Sequence, residues 1–144
     1  MKKQSNLFTD KDSIQTIDSK RIIYLVIAVS FFLLTEMGRK IYRPYIYQNN
    51  IEDFGLADSI GNLGGIVVQI FLTLAILNSP GKKGVFIIVF IVLGYILYEI
   101  LQPFLPRGVF DWKDIYGTLI GGTIATLIWL ATGLIVQNKV MYKF

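Results

Sequence analysis

Hydrophobic residues fall in four runs, roughly 22–38, 59–78, 84–105 and 115–136, and most of the charge is collected in the segments between them. Each run is close to the about 20 residues that cross a hydrocarbon core of roughly 30 Å at 1.5 Å per residue. Within Val85–Leu97 no residue is more polar than Tyr95, so the run lacks the polar face that a soluble amphipathic helix needs. The pattern predicts an all-α fold, a four-transmembrane-helix bundle. Residues 1–21 are polar, carry no apolar periodicity and read as a cytoplasmic tail or short surface helix, with the transmembrane domain over 22–144.

The polar ends of the runs repeat. Asp58-Ser-Ile-Gly61-Asn-Leu63-Gly-Gly65 and Asp114-Ile-Tyr-Gly117-Thr-Leu119-Ile-Gly121 agree at four of eight positions, and each opens an apolar run. Upstream, Glu36 is followed by Arg39 and Arg43-Pro44, and Glu99 by Gln102 and Pro106-Arg107. The chain therefore reads as two parallel helical-hairpin repeats, about 22–78 and 84–136. Gly61-x-x-x-Gly65 and Gly117-x-x-x-Gly121 have the spacing that lets membrane helices approach backbone to backbone, which predicts tight contact between the second and fourth helices. Asn78-Ser-Pro-Gly-Lys-Lys-Gly84 has strong turn chemistry.

Charge sets the expected orientation. Nine basic residues lie on the side of the termini and five on the other, whereas three acids lie on the first side and seven on the second. The excess of Lys and Arg places both termini in the cytoplasm of an inner (plasma) membrane, against anionic lipid. The first run is followed by no small-residue cleavage site, so it is read as a retained helix and not as a signal peptide. Tyr and Phe in the outer loops, with Trp112, suit an interfacial aromatic belt. Nothing resembles a nucleic-acid reader.

The chain has no cysteine and no histidine, which excludes thiol chemistry, disulfides and the commonest general base. Chemistry falls to carboxylates and arginines at the outer helix ends. From Ile22 to Thr35 and from Gly84 to Tyr98 the two climbs are nearly equal, so Glu36 and Glu99 are expected at similar depth, where a charge is costly. Glu36 has Arg39 and Lys40 three and four residues on and can pair with them. Glu99 has only Gln102 at that spacing, so its partner is expected from elsewhere, with Arg107 or Arg43 the candidates. Asp58 and Asp114 precede helices and read as N-caps, with Asp53 and Asp111 as additional acids.

The run Glu99-x-x-Gln102-x-Phe104-x-Pro106-Arg107-x-x-Phe110-Asp111-x-x-Asp114-x-x-Gly117-x-x-x-Gly121 resembles the signature of VanZ-like integral membrane proteins. The resemblance covers about residues 85–135, and the first half only as the weaker repeat. That family usually has an Asn shortly after its second Asp; here Tyr116-Gly117-Thr118 stands in its place, and Asn62 in the first repeat is the closest equivalent. The resemblance implies a bacterial cell-envelope protein associated with glycopeptide (teicoplanin) resistance, with no defined reaction.

The leading expectation is an outward pocket of Glu36, Arg43, Glu99, Gln102, Arg107, Asp111 and Asp114 that binds a polar or phosphorylated envelope component, or the glycopeptide itself. Arginine suits phosphate or carboxylate, and acids suit hydroxyl and ammonium groups. No cofactor is expected on this reading. An alternative is an enzyme acting on lipid-linked phosphates, with Glu99, Asp111 and Asp114 holding Mg²⁺ or Mn²⁺. Another is a small structural or transport protein, for which Asn62, Gln69 and Thr73 in the second helix and Thr118, Thr123, Thr126 and Thr132 in the fourth form only a sparse polar stripe. The bet is that the second repeat bears the function and the first completes the bundle.

Overall fold

The computed structural model describes residues 5–78 and 82–141, with side chains over 19–78 and 82–134. Its elements are α1 (Ser5–Met37), a π-helical turn (Gly38–Tyr42), α2 (Arg43–Gln48), α3 (Leu56–Leu77), α4 (Lys82–Leu101), a 3₁₀ turn (Gln102–Phe104) and α5 (Trp112–Met141). Four stretches are long and apolar enough to cross a membrane: Ser19–Gln48, Leu56–Leu77, Lys82–Phe104 and Trp112–Leu134. The protein is a four-helix transmembrane bundle and, by these four helices, a multi-pass membrane protein.

The first helix departs from expectation at both ends. It begins at Ser5, so the polar segment continues α1 instead of forming a separate tail; residues 1–4 lie outside the described residues. It also runs past Glu36 and through Pro44 to Gln48. Proline cannot give an N–H to a helix interior. Here the π turn precedes it, the Arg43 N–H reaching back to the Gly38 carbonyl, and Pro44 falls in the first turn of α2, where a free donor is not needed.

α3 is the hub. Ile66, Val67, Ile70, Phe71 and Leu74 are all fully buried. α1 packs on one side of it, α5 on another, and α4 bridges α3 and α5, while α1 and α4 make no contact among the described residues. The expected contact between the second and fourth helices is the central one. It runs parallel and in register: Gly117 lies on the backbone of Ser59 and Leu63, and Gly121 on the Leu63 carbonyl and Ile66. A Cβ at Gly117 would sit 2.7 Å from the Ser59 carbonyl oxygen.

The first glycine pair does not mirror the second. Gly61 faces open space, and Gly65 meets only the Tyr95 hydroxyl, at 3.8 Å. The reason is rotational. Ser59, Leu63 and Ile66 occupy the side of α3 that meets α5, which turns Gly61 and Gly65 away from that contact. The glycines that do admit a neighbour to this part of the hub are Gly64, against Thr35, and Gly38, against Ile60.

At the opposite, basic end, Arg21 Nε donates to the Ala75 carbonyl at 3.0 Å, among the last carbonyls of α3. Asn78 closes that helix in the left-handed region, at φ 46°. Residues 79–81 of the expected turn lie outside the described residues. Tyr24 packs on Phe71 with ring centroids 5.6 Å apart, and reaches Thr132 and Trp129 of α5.

The two glycine pairs should separate cleanly in solution. Gly117→Ala places a methyl against backbone and should lower stability by about 1–3 kcal/mol, whereas Gly61→Ala, in open space, should be neutral or raise it slightly. Thermal unfolding in detergent micelles measures both, and equal losses would contradict this packing.

Candidate functional site

At the acidic end of the bundle, the helix starts decide which carboxylates are free. α3 begins after Gly55, and its first amides are taken by Asp53: the Gly55 N–H donates to Oδ1 at 3.0 Å and the Ala57 N–H to Oδ2 at 2.7 Å. α5 begins after Asp111, whose Oδ1 accepts the Lys113 N–H at 2.9 Å. The expectation that Asp58 and Asp114 are the caps is therefore corrected. Each is the third residue of its helix, already within the first turn, and the acid upstream meets the amides that a cap must satisfy.

Released from capping, Asp58 joins the two repeats. Lys113 Nζ lies 2.6 Å from Oδ2, Arg43 Nη2 lies 3.7 Å from Oδ1, and the Tyr47 hydroxyl donates to the same Oδ1. Arg43 Nε donates in turn to the Tyr47 hydroxyl at 3.2 Å. The Lys113 stem lies over Gly55, whose φ of 81° and lack of Cβ make room for it. One carboxylate thus ties α2, α3 and α5 together.

Glu99 is the unusual group. It is 2% exposed, on the last full turn of α4. Asn62 Nδ2 of α3 donates to Oε1 at 3.1 Å, and Oε2 has no hydrogen-bond partner among the described residues. No base is within ion-pair distance, so the expected partners, Arg107 and Arg43, are replaced by a neutral carboxamide. The Thr118 hydroxyl of α5 is also fully buried and has no hydrogen-bond partner among the described residues. Gly122 meets Val92 of α4; Thr118 and Asp114 lie one and two turns earlier on the same face, level with Ile96 and Glu99 of the antiparallel α4. Asp114 and Asp111 act on Glu99 electrostatically, and Asp58, Arg43 and Lys113 act on Asp114.

A cavity of about 380 Å³ adjoins this carboxylate, lined by Asn62, Gly94, Tyr95, Tyr98 and Glu99. Gly94 is exposed with nothing beside it, so the cavity is open on the side of α4 that bears Gly94. Its polar groups are one carboxylate, one carboxamide and two phenols.

The expected site residues are only partly brought together. Glu99, Asp111, Asp114 and Arg43 share one electrostatic neighbourhood. Glu36 does not join them. It pairs along its own helix with Arg39 at 3.3 Å and Lys40 at 3.4 Å, as its spacing predicts. Gln102 is half-buried where α4 tightens into the 3₁₀ turn, and its carbonyl accepts the Leu105 N–H. Arg107 is exposed in the turn Leu105–Gly108, at φ 64°, with no ion pair or side-chain hydrogen bond among the described residues.

The acids proposed to hold Mg²⁺ or Mn²⁺ do not converge: among the described residues no group of three is placed to hold a metal ion. The groups missed from sequence are Asn62, Tyr95 and Tyr98 at Glu99, and Lys113 and Tyr47 at Asp58. Asn62 had a signal, being the position of the first repeat that matches Thr118 of the second. The first repeat therefore supplies part of the site as well as completing the bundle. No family model, curated protein or solved structure matches the chain.

The two kinds of aspartate should respond differently to mutation. Asp53→Ala and Asp111→Ala should each cost about 0.5–2 kcal/mol regardless of salt. Asp58→Asn loses exposed ion pairs and should cost under about 1 kcal/mol, shrinking as salt rises. Unfolding at low and high ionic strength checks the difference.

Proposed function

We propose that the protein binds a membrane amphiphile through Glu99, taking a hydrogen-bond-donating headgroup, an ammonium or hydroxyl group, into the lateral cavity between α3 and α4. The observation that carries this reading is that Glu99 lines the cavity while its oxygen Oε2 is buried with no donor among the described residues. A carboxylate so placed is costly unless something donates to it. Two tyrosines beside a carboxylate suit an ammonium group, which gains from both charge and ring faces.

The surrounding charge favours the same class. Four acids, Asp58, Asp111, Asp114 and Glu99, stand in this neighbourhood with two bases, Arg43 and Lys113, and both bases already face Asp58. A phosphate would meet net negative charge here, and Arg107 stands apart from the cavity. The headgroup's donor, rather than any phosphate it carries, is the feature recognised.

On the charge asymmetry of the sequence, the cavity lies near the outer leaflet of a bacterial plasma membrane with both termini inside. The likeness of Glu99–Gly121 to VanZ-like proteins adds an envelope role connected with glycopeptide resistance to the proposal. Envelope amphiphiles and glycopeptides both carry amino and hydroxyl groups, so one donor-binding cavity would serve either.

The test uses vesicles of equal phosphatidylethanolamine and phosphatidylglycerol, followed by gentle extraction and native mass spectrometry. The wild-type chain should retain the ammonium lipid preferentially. Glu99→Gln keeps an acceptor for Asn62 but removes the charge, and should reduce that preference about tenfold or more, equivalent to roughly 1.4 kcal/mol, with unfolding temperature unchanged. Equal retention of both lipids by the wild type, or an undiminished preference in Glu99→Gln, would refute the proposal.

A further inference from the structure

Asp58, Asn62, Gly65, Gln69, Thr73 and Ile76 recur at three- and four-residue spacing and so share one face of α3. The other faces are taken: α1 packs on Gly64 and Phe71, and α5 on Ser59, Leu63 and Ile66. α4 covers the remaining face only near the acidic end, where Glu99 meets Asn62 and Tyr95 meets Gly65. Further along, α4 turns to α5, with Val92 against Gly122 and Gly84 against Trp129. Because α1 and α4 make no contact among the described residues, none of them closes the face beyond Gly65.

What lies exposed there is polar and deep. Gln69 lies well inside Leu56–Leu77, eight residues from the nearer end, and its side chain is exposed. It gives one N–H to the Thr73 hydroxyl at 3.3 Å, and that hydroxyl donates to the Gln69 backbone carbonyl at 2.7 Å. Its amide oxygen and second N–H have no partner among the described residues. Hydrocarbon offers neither donor nor acceptor, so these two valences call for another polar group at the same depth.

We infer that this face of α3 is a contact between two copies of the chain, joined by reciprocal hydrogen bonds between their Gln69 side chains. A primary carboxamide is self-complementary, donating through nitrogen and accepting through oxygen. Two copies inserted in the same orientation and related by a two-fold axis along the membrane normal bring Gln69 to Gln69 at equal depth, as an isologous interface requires. The second copy is the partner that shares membrane, orientation and depth by construction. The inference is independent of the Glu99 reading, since it uses the other half of the α3 face.

The absence of native cysteine makes the test direct. Ile76 lies on the same face two turns from Gln69 and is 64% exposed. Ile76→Cys, oxidised in native membranes, should give a disulfide-linked dimer of the chain. Adding Gln69→Leu, which fills the surface position with an apolar group of similar size, should lower the dimer yield by roughly threefold to tenfold. Phe86→Cys, on an exposed part of α4 near the same end, should show only collisional cross-linking. The inference is overturned by any of three results: an Ile76→Cys yield no higher than that of Phe86→Cys, a yield indifferent to Gln69→Leu, or capture of the Ile76→Cys thiol by another protein instead of a second copy. Because lipid binding at Glu99 is read separately by mass spectrometry, failure here leaves that proposal standing or falling on its own result.

Discussion

Where Gly117 and Gly121 lie on the backbone of α3, two parallel helices come close enough for their matching positions to act together. Lipid supplies no hydrophobic force to press helices together, so the contact depends on shape, and shape at this spacing depends on glycine. The register that results sets Asp58 against Lys113 and brings both Asn62 and the face bearing Asp114 and Thr118 to the end of α4. Were α3 and α5 held apart by side chains, Lys113 would not span to Asp58, and Glu99 would face lipid on one side instead of polar groups on two.

The acids of this end divide the work through the needs of helix termini. A helix that starts at a membrane surface must satisfy its first amides, and a carboxylate a few residues upstream does so cheaply. Asp53 and Asp111 take that task, and their partners within the first turn are released. Asp58 then meets two cations and a phenol, while the Asp114 side chain has no hydrogen bond or ion pair among the described residues and lends its field to Glu99. The pairing of acids in each loop is thus explained by structure in one member and leaves the other available.

Much of the architecture was legible because period and length are strong signals in membranes: four apolar runs gave four helices, and the Gly117/Gly121 spacing gave the central contact, although its Gly61/Gly65 counterpart turns away from it. The pairing of Glu36 with Arg39 and Lys40 was also readable, being local to one helix. The partner of Glu99 was not, because it lies on another helix 37 residues earlier and is neutral; a search for opposite charge passes over a carboxamide. The caps were misassigned for a related reason. Spacing to an apolar run does not reveal where a helix begins, and a cap one residue type looks like another when two aspartates stand within a turn or so of each other. Gln69 and Thr73 were legible as polar but not as exposed, since which face of α3 stays open depends on where α1 and α4 diverge.

The two glutamates, matched in sequence, end in opposite environments, and the prolines that follow each account for it. After Glu36 the chain absorbs Pro44 through a π turn and stays helical, so Arg39 and Lys40 remain on the same helix within reach of the carboxylate. After Glu99 the helix tightens at once into the 3₁₀ turn containing Pro103, and the chain leaves through Pro106 into a left-handed turn at Arg107. The base that follows Glu99 is carried off with that turn. What distinguishes the second carboxylate is therefore less the acid itself than the loss of helix behind it, which removes its local counter-charge and leaves Asn62 of the other repeat as its one donor among the described residues. A buried carboxylate with one oxygen satisfied and one not is held in place yet still able to accept, which is the property a donor-binding site requires.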